Sequence, residues 1–191
     1  TVAQIGYLFL MFPLAAGLAA MHLPVDPAVT GGLLQTVSHA TAKAAMFLGA
    51  GLIYASLGHD RIADLQGVGR QLPMTLLAFA LAGTSLVGLP PSGGFFAKWL
   101  LLSAALLTGQ WWWVAAMVVG GLLTSCYVFI VVMRALVAVD AEKQAKIKIP
   151  PYREAVVLGL ASLSFLLGLL ALLPTDVVMI GRSLPPAVGL P

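Results

Sequence analysis

Residues 86–100 read LVGLPPSGGFFAKWL. The flanks are as apolar as a membrane span, yet the stretch contains Pro90, Pro91, Gly93, Gly94 and Lys98. Two readings of the surrounding segment, 72–108, give different folds. As one unbroken helix it would reach about 55 Å, against a hydrocarbon core of about 30 Å. It is therefore either a hairpin of two spans or one crossing made from an interrupted helix.

The setting is a membrane. Of 191 residues, 60% are hydrophobic and only 9% charged, and the mean hydropathy is +1.00. Soluble domains carry about 25% charged residues. A β-barrel would alternate polar and apolar positions, which runs such as AVVLGLASLSFLLGLLALLP (155–174) do not. The composition points to an all-α, polytopic bundle in the lipid bilayer. The single cysteine, Cys126, lies in an apolar run and is expected to be inert packing. The net charge of +3 is spread over loops without interleaved aromatics, so no nucleic-acid partner is expected. No basic n-region precedes the first apolar stretch, and a fragment or one piece of a split protein is expected.

About 20 apolar residues cross a bilayer as a helix. The expected crossings are 2–21, 32–57, 72–108, 112–139 and 155–173, forming one membrane domain over 1–191. Loop charges decide between hairpin and broken helix. Arg61 and Arg70 follow the second span; Lys143, Lys146, Lys148 and Arg153 precede the last. The stretches 22–31 and 108–110 carry no Lys or Arg. If 72–108 crosses once, both basic loops lie on the cytoplasmic side and both uncharged loops outside; if it crosses twice, the basic loops fall on opposite sides. One crossing is expected, broken near 89–94. The triplet Trp111–Trp113 then falls at the outer interface as an aromatic belt, the C-terminal tail lies outside, and 140–153 is a solvated loop.

Two cations do not fit near a span end. Lys43 is deep in 32–57, and Lys98 follows the Pro-Pro-Ser-Gly-Gly break by four residues. A lysine at mid-helix depth costs about 2.5–3.5 kcal/mol on insertion scales and commonly marks an ion or proton path. Gln35, His39 and Lys43 are spaced i, i+4, i+8 along one helix face. Ser38, Thr41, Ser92 and Tyr127 are candidates to extend a polar path, with Ser85, Ser103, Thr124 and Ser125 as weaker ones. Pro90 and Pro91 end a helix. Gly93 and Gly94 permit close approach. Discontinuous helices near the midplane recur at ion sites. The acids Asp26, Asp60, Asp64, Asp140, Glu142, Glu154 and Asp176 all fall in loops or at span ends. Buried bases without buried acids suggest a chain that works with partners. No phosphate loop, Ser/His/Asp set or metal-ligand cluster is apparent; His22, His39 and His59 lie in different segments. No metal, cofactor or catalytic centre is expected. The residues themselves leave open a proton relay, a purely structural membrane subunit, or, least favoured, a small-solute transporter.

The stretches TVAQIGYLFL (1–10), VSHATAKAAMFLGAGLIY (37–54), DLQGVGRQLPMT (64–75) and GLPPSGGFFAKWLLL (88–102) together resemble the antiporter-like proton-pumping subunits. These serve respiratory complex I, Mrp-type cation/proton antiporters and membrane-bound hydrogenases. The resemblance implies a fold of two inverted five-helix repeats, each with one broken helix, and this chain resembles the C-terminal portion with the second repeat. It implies that Lys98 is the broken-helix lysine and that Lys43 and His39 belong to a relay along a hydrated axis. It further implies proton transfer coupled to a redox enzyme or to sodium export, other membrane subunits as partners, and a bacterial inner membrane. The first repeat, with its glutamate–lysine pair, has no counterpart in these residues.

Overall fold

A computed structural model describes residues 2–21, 26–137 and 147–170 of the chain. Among them the regular structure is all helical: α1 (Val2–Phe9), α2 (Met11–Leu18), α3 (Pro27–Leu57), α4 (Val68–Gln71), α5 (Pro73–Val87), α6 (Gly93–Leu107), α7 (Trp111–Leu136) and α8 (Pro151–Leu170). Short 3₁₀ turns lie at Ala19–Met21 and Ile62–Asp64. Pro13 lacks the N–H that would bond the carbonyl four residues back, and the first rod divides there, at Leu10, into α1 and α2. α3 starts five residues before the expected 32. Asp26 caps it, its Oδ1 accepting from Ala28 N at 2.8 Å and Val29 N at 3.3 Å, and Pro27 occupies the first turn. Both are helix-start signals that the hydropathy reading placed in the loop 22–31. α8 likewise starts at Pro151 rather than 155.

The segment 72–108 is one rod in two pieces. α5 and α6 touch each other little and instead lie one after the other along α3. The order of contacts along α3 establishes this. Beside Gly49 stand Thr75 and Phe79 of α5; Ser38 bonds Ser85 at the end of α5; Gly31 faces Ala97, Leu100 and Leu101 of α6. A hairpin would have brought α6 back over the same half of α3. The other neighbours agree: along α8, Glu154 meets Thr75, Ser164 meets Ser85 and Gly168 meets Pro91 and Ser92. The described parts of both basic loops consequently sit at one end of the bundle. They are tied there by Gly67 N donating to Val137 O (2.8 Å) and Ser56 Oγ donating to Ile147 O (3.3 Å).

α3 is the spine because its inward stripe is small and regularly spaced: Ala28, Gly31, Gly32, Gln35, Ser38, Ala42, Ala45, Gly49, Ile53 and Ser56 are buried. Lipid offers no hydrophobic drive for helix association, so close backbone approach along small residues does the work. Three apolar clusters follow its length. Leu14, Ala28, Leu101 and Ala105 pack at the uncharged end, Ala42, Ala45, Phe79, Ala82 and Val157 beyond the middle, and Ile53, Val68, Leu72 and Ala135 at the basic end. A polar layer around Ser38 lies between the first two. α1 enters at about that depth, since Gln4 Nε2 donates to Thr124 Oγ1 (2.8 Å) near the middle of α7.

Two expectations are corrected. Cys126 is exposed on the outer face of α7 and is not packed within the bundle. Glu154 sits at a span end as read, but it is only 6% exposed, so the chain does hold a buried acid. Trp111 and Trp112 are exposed at the start of α7, as a belt requires, while Trp113 turns inward and its Nε1 donates to Gln110 Oε1 (2.9 Å). The expectations for His22, for the loop acids and lysines Asp140, Glu142, Lys143 and Lys146, and for the tail from 171 with Asp176 lie outside the described residues.

Candidate functional site

The break occupies Gly88–Ser92, so Gly93 and Gly94 are the first residues of α6 and not part of the interruption. α5 ends in the left-handed turn of Gly88 (φ 89°), whose N–H, like that of Leu89, bonds Thr84 O. A helix C-terminus leaves its last carbonyls without intrahelical donors, and here two of them are taken by Lys98. Its Nζ donates to Leu86 O at 2.6 Å and Val87 O at 3.0 Å. The stem of Lys98 passes so close to Gly88 that a Cβ there would stand 2.9 Å from its Cδ. The Tyr7 ring, from α1, lies 5.4 Å from the ammonium. The lysine thus meets the negative end of the α5 dipole, two charge-assisted hydrogen bonds of about 1.5–3 kcal/mol each, and an aromatic face. Together these offset the insertion penalty of about 3 kcal/mol.

On the other side of the break, Ser92 is fully buried and caps α6, accepting from Phe95 N (3.2 Å) and donating to Leu89 O (2.6 Å). Three more hydroxyls pin the break to its neighbours. Ser85 (α5), Ser164 (α8) and Ser38 (α3) form a buried triangle with Oγ separations of 2.8, 3.0 and 3.4 Å. Ser164 also reaches Ser38 O at 3.0 Å, and Gly94 N donates to Ser85 Oγ at 3.3 Å. Ser164→Ala removes one corner and leaves Ser38 O without that donor. It is expected to lower stability by about 1 kcal/mol, read by SDS unfolding of the purified complex. Unchanged unfolding would mean that the triangle contributes nothing to holding the break.

His39 is 8% exposed, and neither ring nitrogen has a hydrogen-bond partner among the described residues; the same holds for Gln35 Oε1. His39 is within electrostatic reach of both Lys43 and Lys98. Lys43 is half-buried near the middle of α3, with the Phe47 ring 5.5 Å from its ammonium and no carbonyl bound to it among the described residues. The i, i+4, i+8 stripe is not strictly one face: each step of four turns by about 40°. Gln35 and His39 therefore point inward while Lys43 lies on the flank.

The supporting residues divide. Ser38 and Ser92 lie at the break. Thr41 turns its hydroxyl back onto Val37 O and Ser38 O, both at 3.0 Å. Tyr127 is 42% exposed on α7 and is not among the groups at the break. Sequence reasoning did not single out Gln4, Tyr7 or Ser164. Gln4 and Tyr7 stand i, i+3 in the first apolar stretch, a spacing that puts two polar side chains on one face. Ser164 gave no signal beyond being a serine in an apolar run. These three matter because the fold brings α1 and α8 to the two sides of the broken rod.

The chain is similar to several known proteins. It is 36% identical over 135 residues to NADH-quinone oxidoreductase subunit N of Desulforudis audaxviator, covering 71% of this chain and 25% of that protein. It is 32% identical over 105 residues to formate hydrogenlyase subunit 3 of Escherichia coli, covering 52% and 17%. Among solved structures, a chain of the Mrp complex from Dietzia sp. DQ12-45-1b superposes with a TM-score of 0.75 at 24% identity, over 88% of this chain and 38% of that one. The chain therefore spans well under half the length of these relatives. The profile of the family described as "NADH:quinone oxidoreductase/Mrp antiporter, TM" matches residues 1–124. With that match extending from α1 through the break and into α7, the chain belongs to the NADH:quinone oxidoreductase/Mrp antiporter transmembrane family.

Proposed function

We propose that these residues form one half-channel of a proton-translocating membrane subunit, in which Lys98 exchanges protons toward the uncharged end and His39 and Lys43 carry them along the bundle. The observation that carries this reading is the unpaired polar row on α3. Buried polar groups are nearly always hydrogen-bonded, yet both nitrogens of His39 and the carbonyl oxygen of Gln35 have no partner among the described residues. A row held ready for a transferable proton accounts for that. The protein would serve within a larger assembly of membrane subunits, in a respiratory, antiporter or hydrogenase complex of a bacterial inner membrane. It would supply proton movement and no catalytic chemistry of its own.

A second reading has one observation in its favour. The two carbonyls on Lys98 are what a structural lysine would also have, and on that reading the chain seals and packs without conducting. Lys43 separates the two, because among the described residues no carbonyl binds it. Lys43→Met keeps length and apolar bulk and removes the proton carrier. In the assembled complex, transport measured with a ΔpH-sensitive dye in inverted vesicles is expected to drop at least about tenfold with normal assembly. Wild-type transport in that variant would leave the structural reading standing.

A further inference from the structure

The half-helix α5 is gripped at both ends by charges from other helices. At its C-terminus the Lys98 ammonium holds Leu86 O and Val87 O. At its N-terminus the Glu154 carboxylate, from the first turn of α8, holds the third residue: Oε2 accepts from Thr75 N at 2.9 Å and from Thr75 Oγ1 at 3.0 Å. Each charge has the sign that its end of the helix dipole favours. Glu154 is buried, and no ion pair to it exists among the described residues. The nearby cations Arg70 of α4, Arg134 of α7 and Arg153 of α8 are all exposed. An acid buried without a cation needs a reason, and the free N–H groups of a short helix supply it.

We propose that Glu154 is a positioning residue for Lys98: by fixing the N-terminus of α5 and adding its charge to that helix, it stabilises the ammonium form of Lys98 at the other end. The link is made of one rigid element. The rise from Thr75 to Leu86 is about 16 Å, and the path lies inside the bundle, where salt screens little. The titratable groups that face Lys98 itself are Tyr7 of α1 and, at longer range, His39 of α3. Neither offers it a negative charge, which leaves the α5 terminus as the favourable partner. This inference rests on the reading of Lys98 as a proton carrier.

The test uses the assembled complex in inverted vesicles and follows the pH dependence of proton transport. The alkaline limb of that profile reports loss of the Lys98 ammonium. Glu154→Gln keeps an acceptor for Thr75 but removes the charge, and is expected to move the limb down by about half a pH unit, the size of one charge acting over that distance. Met74→Glu is the opposite change. Met74 is the second residue of α5 and 42% exposed, so an acid there adds charge at the same terminus without touching the core, and the limb is expected to rise. Should Glu154→Gln fail to assemble, Met74→Glu decides alone. A lowered maximal rate with an unmoved limb in either assembled variant would make Glu154 a merely structural cap and overturn the proposal. Failure of the underlying reading looks different: Lys98→Gln would then transport like the wild type. If Lys98→Gln abolishes transport while Met74→Glu leaves the limb in place, the relay stands and the link through α5 falls.

Discussion

Replacing Lys98 with glutamine is expected to cut proton transport by the assembled complex at least about a hundredfold, with the subunit still present in that complex. Glutamine keeps an N–H donor for the Leu86 and Val87 carbonyls but binds no exchangeable proton in the physiological range. The exchange replaces charge-assisted hydrogen bonds with neutral ones and costs about 1–2 kcal/mol, too little to prevent assembly. Alanine is the harsher variant. It would strand both carbonyls at membrane depth, at about 1–3 kcal/mol each, and confuse loss of transport with loss of structure. The glutamine result therefore decides between carrier and cap. Transport at the wild-type rate in Lys98→Gln, with normal subunit content, would exclude Lys98 from the proton path.

Gly94→Ala is expected to be among the most damaging single-methyl changes at the described glycines, alongside Gly168→Ala, whose Cβ would meet the Pro91 and Ser92 backbone. A Cβ at Gly94 would collide with the Ser85 carbonyl. The obstacle is backbone on both sides, α6 against the last turn of α5, so no side-chain rotation relieves it. Overpacking against a yielding neighbour costs about 1–3 kcal/mol; here the end of α5 and the start of α6 must separate. That separation also breaks the bond from Gly94 N to Ser85 Oγ and draws Lys98 away from Leu86 O. The expected result is loss of the subunit from the complex on a native gel. Gly51→Ala is the control: a Cβ there meets nothing within 4 Å, and in a helix alanine is more favourable than glycine by about 1 kcal/mol, so assembly should be unchanged. Equal assembly of both variants would refute the tight packing at the break.

Much of the fold was legible because bilayer physics is strict. Lys and Arg in the loops favoured an interrupted rod over a hairpin for 72–108, and α5 and α6 do lie end to end along α3. Helix ends were read less well. Asp26 and Pro27 are start signals, but their polarity and turn propensity outweighed them in a hydropathy reading. In the candidate site, Lys98, His39 and Lys43 stood out because each is costly in hydrocarbon. Serine is not costly, and so Ser164 remained hidden among apolar residues until α8 was seen to pass the break.

The sequence alone determined that the chain is an all-helical membrane protein, that one helix is interrupted at Pro90-Pro91, and that two lysines stand within apolar segments where a charge is costly. Those follow from local quantities: transfer cost, missing N–H groups, loop charge. The tertiary structure alone decided what the charges do. Glu154 was read only as an acid in a loop or at a span end and proved to be the buried cap of α5, 79 residues from its partner Thr75 along the chain. Lys98 looked like a cation in search of an acid and found the carbonyl end of the same helix. The orphan groups of a half-helix select their partners by position in space, and those partners lie on whichever rods the packing places alongside.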